Sequence, residues 1–313
     1  MSKSPRVSVL MSVYNSEQFL KEAINSILEQ TFEDFEFIVI NDGSKDDSLK
    51  IIKSYDDKRI KLISRANKGL TASLNEGLKI ASGEYIARQD SDDISVPTRL
   101  EKEVEYLDNS PKTALVGSNY TVIDMDGTKL TTTNVFTQPA DLKLTQITCN
   151  QYGHGSIMLR RNILKDVGGY DDSVGYVEDY DLWTRISQVA DIANIEEPLY
   201  LYRRNTESIT RKNLDLQIQQ TFAVRDKAFI YFLAHRRQYR LFYYHASGHH
   251  YRNRKAVLYR DLAYLYRKAD RMFGGLAVML LAILLEPLNK KNYLCLQYVL
   301  YKPRFDRWEY EFL

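Results

Sequence analysis

Two cysteines among 313 residues, Cys149 and Cys295, offer no disulfide framework, a usage that fits a reducing compartment. Long hydrophobic runs are missing too. The stretch from Phe273 to Leu285 carries no charge but stops at Glu286-Pro287, short of the roughly 20 apolar residues that a membrane-crossing helix needs. The apolar segment after Arg6 has strand length and ends in a polar turn with no small-residue cleavage site, so it is expected to be a strand and not a secretory leader. No Gly-x-Gly-x-x-Gly, P-loop or Gly-x-Ser-x-Gly sequence occurs, which removes the strongest signals for dinucleotide-binding, ATPase and serine-hydrolase chemistry. Internal repeats and low-complexity segments are absent as well. A cytoplasmic protein is the expectation.

With 44% hydrophobic and 27% charged residues, the chain can bury a large core, and one large domain plus an appendage is expected. Apolar runs at Val7 to Val13, Phe35 to Ile40, Ile60 to Ile63 and Glu84 to Ala87 read as strands. Helical patterns alternate with them, carrying Phe19, Leu20, Ile24, Ile27 and Leu28, then Leu49, Ile51 and Ile52, then Leu70, Leu74, Leu78 and Ile80. The alternation predicts right-handed crossovers and an α/β fold, a mostly parallel sheet covered by helices on both faces. Ligands of such sheets bind beyond the carboxyl ends of the strands, and Asn15, Asp42, Asn67 and Asp90 all fall at those ends.

Asp90-Ser91-Asp92-Asp93 puts three carboxylates where the fourth strand runs out. Carboxylates this close repel unless a hard cation sits among them, and a sparse oxygen site suits Mg²⁺ or Mn²⁺ holding a phosphate. An isolated motif of this kind also serves as a solvated cap for the helix starting near Pro97, just as Asp42-Gly43-Ser44 alone is ordinary turn chemistry. Glu178-Asp179 opens a helical pattern through Leu182 to Val189, where acidic groups complement the helix dipole and where a carboxylate can equally serve as a base.

Val7 to Asn15, Ile38 to Ser44, Asn67-Lys68-Gly69, Tyr85 to Asp93 and Glu178-Asp179-Tyr180-Asp181-Leu182-Trp183, in that order, resemble the family 2 glycosyltransferases, inverting enzymes of the GT-A fold. The resemblance implies a GT-A-type, Rossmann-like sheet sandwiched by helices, a nucleotide-diphosphate sugar donor with UDP as the expected nucleotide, and Mn²⁺ or Mg²⁺ as cofactor. Carried over position by position, Val13, Tyr14 and Asn15 line the base and ribose, and Asp42 accepts the imino N–H of a uracil or guanine. Asn67 and Ser91 belong to the donor-binding motifs, and Arg88 reaches a phosphate or pairs with the aspartates. Asp90 contacts the ribose or helps orient the metal that Asp92 ligates. Asp179 is the implied catalytic base, with Glu178 orienting it or touching the donor sugar. Trp183, His154 and Arg203 are the candidates for sugar or acceptor contact. One departure stands out: relatives carry Tyr-Arg-x-His where this chain reads Tyr202-Arg203-Arg204-Asn205, which puts a third metal ligand in question and shifts phosphate neutralisation toward arginine.

A net charge of +2 hides a division. From Leu214 onward 17 basic residues face 8 acidic ones, giving +9, whereas the first 213 residues hold 26 against 33, giving −7. The division sets the expected domains at 1–213, catalytic, and 214–313, a basic, tyrosine-rich helical extension. Its helical pattern over 255–291 suits peripheral contact with anionic lipid on the inner face of the membrane, near a lipid-linked acceptor, or packing on the catalytic domain or a second subunit as a homo-oligomer. No nucleic-acid-binding motif accompanies the charge, so nucleic acid is not an expected partner.

The combined expectation is an inverting, metal-dependent glycosyltransferase acting on a saccharide or lipid-linked saccharide hydroxyl. A sugar-phosphate nucleotidyltransferase shares the sheet and the aspartates but needs a Gly-rich, Arg-containing phosphate loop after the first strand, and Ser12-Val13-Tyr14-Asn15 offers none. A non-catalytic nucleotide-sugar or glycan-binding subunit of a polysaccharide assembly complex is the alternative from another class.

Overall fold

The computed structural model describes residues 4–204, 214–235 and 280. Strand β1 (Val7–Val13) is buried along its length and lies between β2 (Phe35–Asp42) and β4 (Tyr85–Gln89), with β3 (Ile60–Arg65) at the edge. All three pairings are parallel, Val7 facing Phe35 on one side and Tyr85 on the other. Strands covered on both faces read as continuous apolar runs, which is why these segments show no alternation. Helices α1 (Leu20–Leu28), α2 (Ser48–Lys53), α3 (Leu70–Ile80) and α4 (Arg99–Asn109) supply the cover. In α1, Leu20, Ala23, Ile24 and Ile27 recur at helical spacing and all are buried against the sheet.

Beyond β4 the sheet becomes mixed. β5 (Ile94–Ser95), β6 (Thr113–Ile123), β7 (Lys129–Thr132), β8 (Ile157–Arg160) and β9 (Asp191–Arg203) complete nine strands in the order β3-β2-β1-β4-β8-β6-β9-β5, with β7 hanging on β6. β8 is antiparallel to both β4 and β6, while β6 and β9 run parallel along most of their lengths. Helices α5 (Pro139–Thr145), α6 (Leu164–Val167) and α7 (Glu178–Val189) fill the connections, and α8 (Leu214–His235) follows. This is an α/β architecture, a sheet flanked by helices as the sequence pattern implies.

The chain divides into two units, Met1–Val224 and Arg225–Leu313. Among the described residues no helix is long and apolar enough to cross a membrane. Apart from residue 280, the helices expected over 255–291 lie outside the described residues, as do Asn205 and Cys295.

Candidate active site

Strand β4 ends at Gln89, and the loop it feeds is held from both sides. Arg88, 2% exposed, sets Nη2 2.7 Å from Asp90 Oδ1, while its Nε and Nη1 find no hydrogen-bond partner among the described residues. The Asp90 backbone N–H donates to the Tyr200 hydroxyl at 3.1 Å. Gly155 makes this approach possible: a Cβ there would stand 1.9 Å from the Tyr200 hydroxyl and 2.8 Å from Asp90 Oδ2. Asp93 is buried and accepts the Arg203 backbone N–H at 2.6 Å. Asp92 forms no ion pair among the described residues. Burial, and then the charge of Asp90, push its carboxyl up to about 6.

The second carboxylate pair opens α7, where three acidic residues in the first turn suit the positive end of the helix. Glu178, 7% exposed, is pushed up to about 7 by burial and then by the charge of Asp179. Burial lifts Asp179 to about 6, although the Tyr180 N–H donates to Oδ1 at 2.6 Å and Asn150 Nδ2 to Oδ2 at 2.8 Å. His154 lies alongside, Nδ1 3.8 Å from Glu178 Oε1 and Nε2 3.1 Å from the Tyr170 hydroxyl. Burial and the positive charge of Arg88 hold its imidazole neutral.

The two pairs, nearly ninety positions apart in the chain, share one cleft of about 770 Å³. Asp90, Asp92 and Asp93 line it together with Glu178, Asp179, His154, Lys68, Tyr120, Tyr152, Tyr176 and Tyr202. The family description Glycosyl transferase family 2 matches residues 8–168. A Bacillus subtilis protein named glycosyltransferase EpsE is 36% identical over 232 residues, 72% of this chain and 82% of that one. This chain belongs to glycosyl transferase family 2. An uncharacterized glycosyltransferase of Methanocaldococcus jannaschii is 38% identical over 212 residues, 64% of this chain and 71% of its own length. Among solved structures, Staphylococcus aureus TarS 1–349 in complex with UDP-GlcNAc superposes with a TM-score of 0.63 at 19% identity, over 94% of this chain and 90% of that one. A mannosyltransferase, PcManGT of Pyrobaculum calidifontis, in complex with GDP-Man and Mn²⁺, gives 0.57 at 18%, over 96% and 82%. At such identities the likeness concerns the fold, which is that of the GT-A glycosyltransferases.

In this glycosyltransferase the turns after β1, β2 and β3 are knitted together. Tyr14 is 47% exposed. Asn15, at φ 50°, donates its N–H to Ser44 Oγ at 3.1 Å and accepts the Lys45 N–H on Oδ1 at 2.8 Å. Asp42, 2% exposed, receives the Lys68 N–H at 2.8 Å and the Gly69 N–H at 2.9 Å, and also the Arg65 guanidinium, while Asn67 Nδ2 donates to its carbonyl at 3.0 Å. Ser91 Oγ meets Ser16 Oγ at 2.8 Å, tying the β1 turn to the aspartate loop.

Three expectations need correction. Val13 has no exposed side chain and belongs to the core, so only its backbone is available to a ligand. Trp183 offers no flat surface to a sugar: it is 0% exposed and packs edge-on to His154 and Tyr170, ring centroids 6.0 and 6.2 Å away. Arg203 lines the cleft, yet its guanidinium is committed to the carbonyls of Asp92, Asp124 and Met125 and to Glu22 Oε2, and lies over the Phe19 ring at 4.2 Å. It clamps the aspartate loop and has little left for phosphate or acceptor. Lys68 and Asp93 went unassigned in the sequence reading although they sit inside the quoted motifs. Asn150 carried no local signal, since its partner is 29 positions away.

Among the described residues no group of three or more His, Cys, Asp or Glu side chains is disposed to hold a metal. Asp90 and Asp92 nonetheless form a donor set that fits Mg²⁺ or Mn²⁺, which retain waters and need only one or two protein carboxylates.

Proposed function

We propose that this glycosyltransferase moves one sugar, with inversion, from a nucleotide-diphosphate donor, UDP-linked by preference, onto a hydroxyl of a saccharide or lipid-linked saccharide. The observation that carries the reading is the shared cleft, lined at once by Asp90 and Asp92 after β4 and by Asp179 at the start of α7. The UDP-GlcNAc and GDP-Man named with the solved neighbours support the donor class. The part up to residue 213 is assigned to catalysis.

The exposed ring of Tyr14 is available to pack on the base. Asp42 has three of its lone-pair directions occupied, which leaves one on Oδ2, beside the Gly69 N–H, for the imino N–H of a base. Asp90 and Asp92 would hold the metal, and Mg²⁺ or Mn²⁺ there supplies positive charge to the departing diphosphate. Exposed Lys68, lining the same cleft, adds a second positive charge for phosphate. Asp179 takes the proton of the acceptor hydroxyl as its oxygen bonds to the anomeric carbon, while the bond from that carbon to the phosphate oxygen breaks and its electron pair leaves with the nucleotide. Single displacement from the face opposite the diphosphate inverts the anomeric centre.

Calorimetric titration of UDP, GDP and dTDP, with and without Mn²⁺, tests the donor end. One nucleotide should bind in a metal-dependent manner and lose at least about tenfold in affinity in Asp92→Ala. Binding that ignores both metal and Asp92 would remove the donor site from this cleft.

A further inference from the structure

Asn150 lies on the loop after α5, and no family motif quoted above includes it. Its side chain makes two hydrogen bonds that fix the amide in one orientation. Oδ1 accepts the Tyr152 backbone N–H at 3.1 Å, and Nδ2 donates to Asp179 Oδ2 at 2.8 Å. Flipping the amide would face a carbonyl oxygen to a carboxylate and an NH₂ to a backbone N–H, losing both bonds. The loop is bolted to the helix that bears the base. Tyr180 Oη donates to the Gln146 carbonyl at 3.0 Å, and Gln146 Nε2 reaches Thr184 Oγ1 at 3.4 Å. Tyr152 is wedged too, since a Cβ on Gly117 would meet its ring at 2.6 Å.

We infer that Asn150 is a positioning residue for proton transfer, aiming the Asp179 carboxylate and holding it in its ionised form; this rests on the reading of Asp179 as the base. An amide N–H can donate only to an acceptor, so a carboxylate oxygen is favoured over a protonated one at Oδ2. With Oδ1 held by the Tyr180 N–H and Oδ2 by Asn150, the carboxylate cannot spin, and one lone-pair direction on each oxygen stays open for the acceptor hydroxyl. Charged groups acting on Asp179 include Glu178 on its own helix and Asp90 after β4, while Tyr170 on the preceding loop is held neutral by burial. Both carboxylates disfavour the ionised base, and the Asn150 hydrogen bond works against them.

The test is a pH titration of the full-length protein labelled with ¹³C at the aspartate carboxyl carbon, with the Asp179 signal assigned by its loss in Asp179→Asn. Asn150→Ala should raise the titration midpoint by about one pH unit, as expected for losing a hydrogen bond to a charged acceptor. Asn150→Asp, which sets a second carboxylate against the first, should raise it further. Unchanged midpoints in both variants would overturn the inference while leaving Asp179 as the base. Undiminished sugar transfer by Asp179→Asn would instead overturn the base assignment and this inference with it.

Discussion

Asp42 and Asp179 are the same residue in opposite circumstances. Asp42, at the end of β2, is met by Arg65 and by two backbone N–H groups presented where α3 begins. Asp179, at the start of α7, has two neutral donors and, among the described residues, no ion pair, with Glu178 beside it and the charge of Asp90 acting across the cleft. The parallel half of the molecule builds a rigid turn platform whose polar groups satisfy one another. In the mixed half, burial pushes Glu178 and Asp179 toward their protonated forms. Groups spent on structure do little chemistry, and groups denied partners are poised to take protons or cations at a cost in stability.

That contrast can be broken by mutation. Removing the Asp42 carboxylate strands two backbone N–H groups and takes away one of the two carboxylates, the other being Glu76, that pair with Arg65, so Asp42→Ala should lose about 2–3 kcal/mol in denaturant unfolding. A loss under about 0.5 kcal/mol would mean that the turn network is ornamental.

Proton linkage sharpens it next. The folded state holds the Asp179 proton up to about 6, above the unfolded value of about 4. Stability therefore falls as pH rises from about 4 to 6, because ionisation is harder in the folded chain. Transfer does the reverse, since only the ionised base accepts a proton, and kcat/KM should rise about tenfold per pH unit below 6. A profile flat down to pH 5 would rule out a base with this environment.

The smallest effect on stability is expected at the base itself. Asp179→Asn removes the buried charge but turns an NH₂ toward either the Tyr180 N–H or Asn150 Nδ2, so at pH 7 the two effects offset and stability should stay within about 1 kcal/mol of the native protein. If it loses as much as Asp42→Ala, the two regions do not differ in the way described.

Legibility followed the range of the interactions. β1 appears over Val7–Val13 and α7 over Glu178–Val189, as their patterns indicate, because buried parallel strands and helix starts write local signatures. Strands β2 and β3 run two residues past the apolar runs, ending on Asp42 and Arg65, since hydrogen bonding to neighbours continues after hydrophobicity stops. The insertion of antiparallel β8 between β4 and β6 left no such mark, being decided by pairing across some seventy positions. The site divided the same way. Asp90, Asp92, Glu178 and Asp179 were visible as clustered carboxylates, and they share the cleft. The burial of Trp183 and the commitment of Arg203 depend on what the fold brings against them, which spacing along the chain does not encode.

The most direct measurement of the central claim, that one cleft unites donor binding and proton transfer on separate groups, is to record nucleotide affinity and sugar transfer side by side for Asp179→Asn. The account predicts nucleotide binding within about twofold of the native protein and transfer reduced 10²–10⁴-fold, roughly the contribution of a positioned general base. Transfer retained within about tenfold, or affinity and transfer lost in parallel, would contradict it.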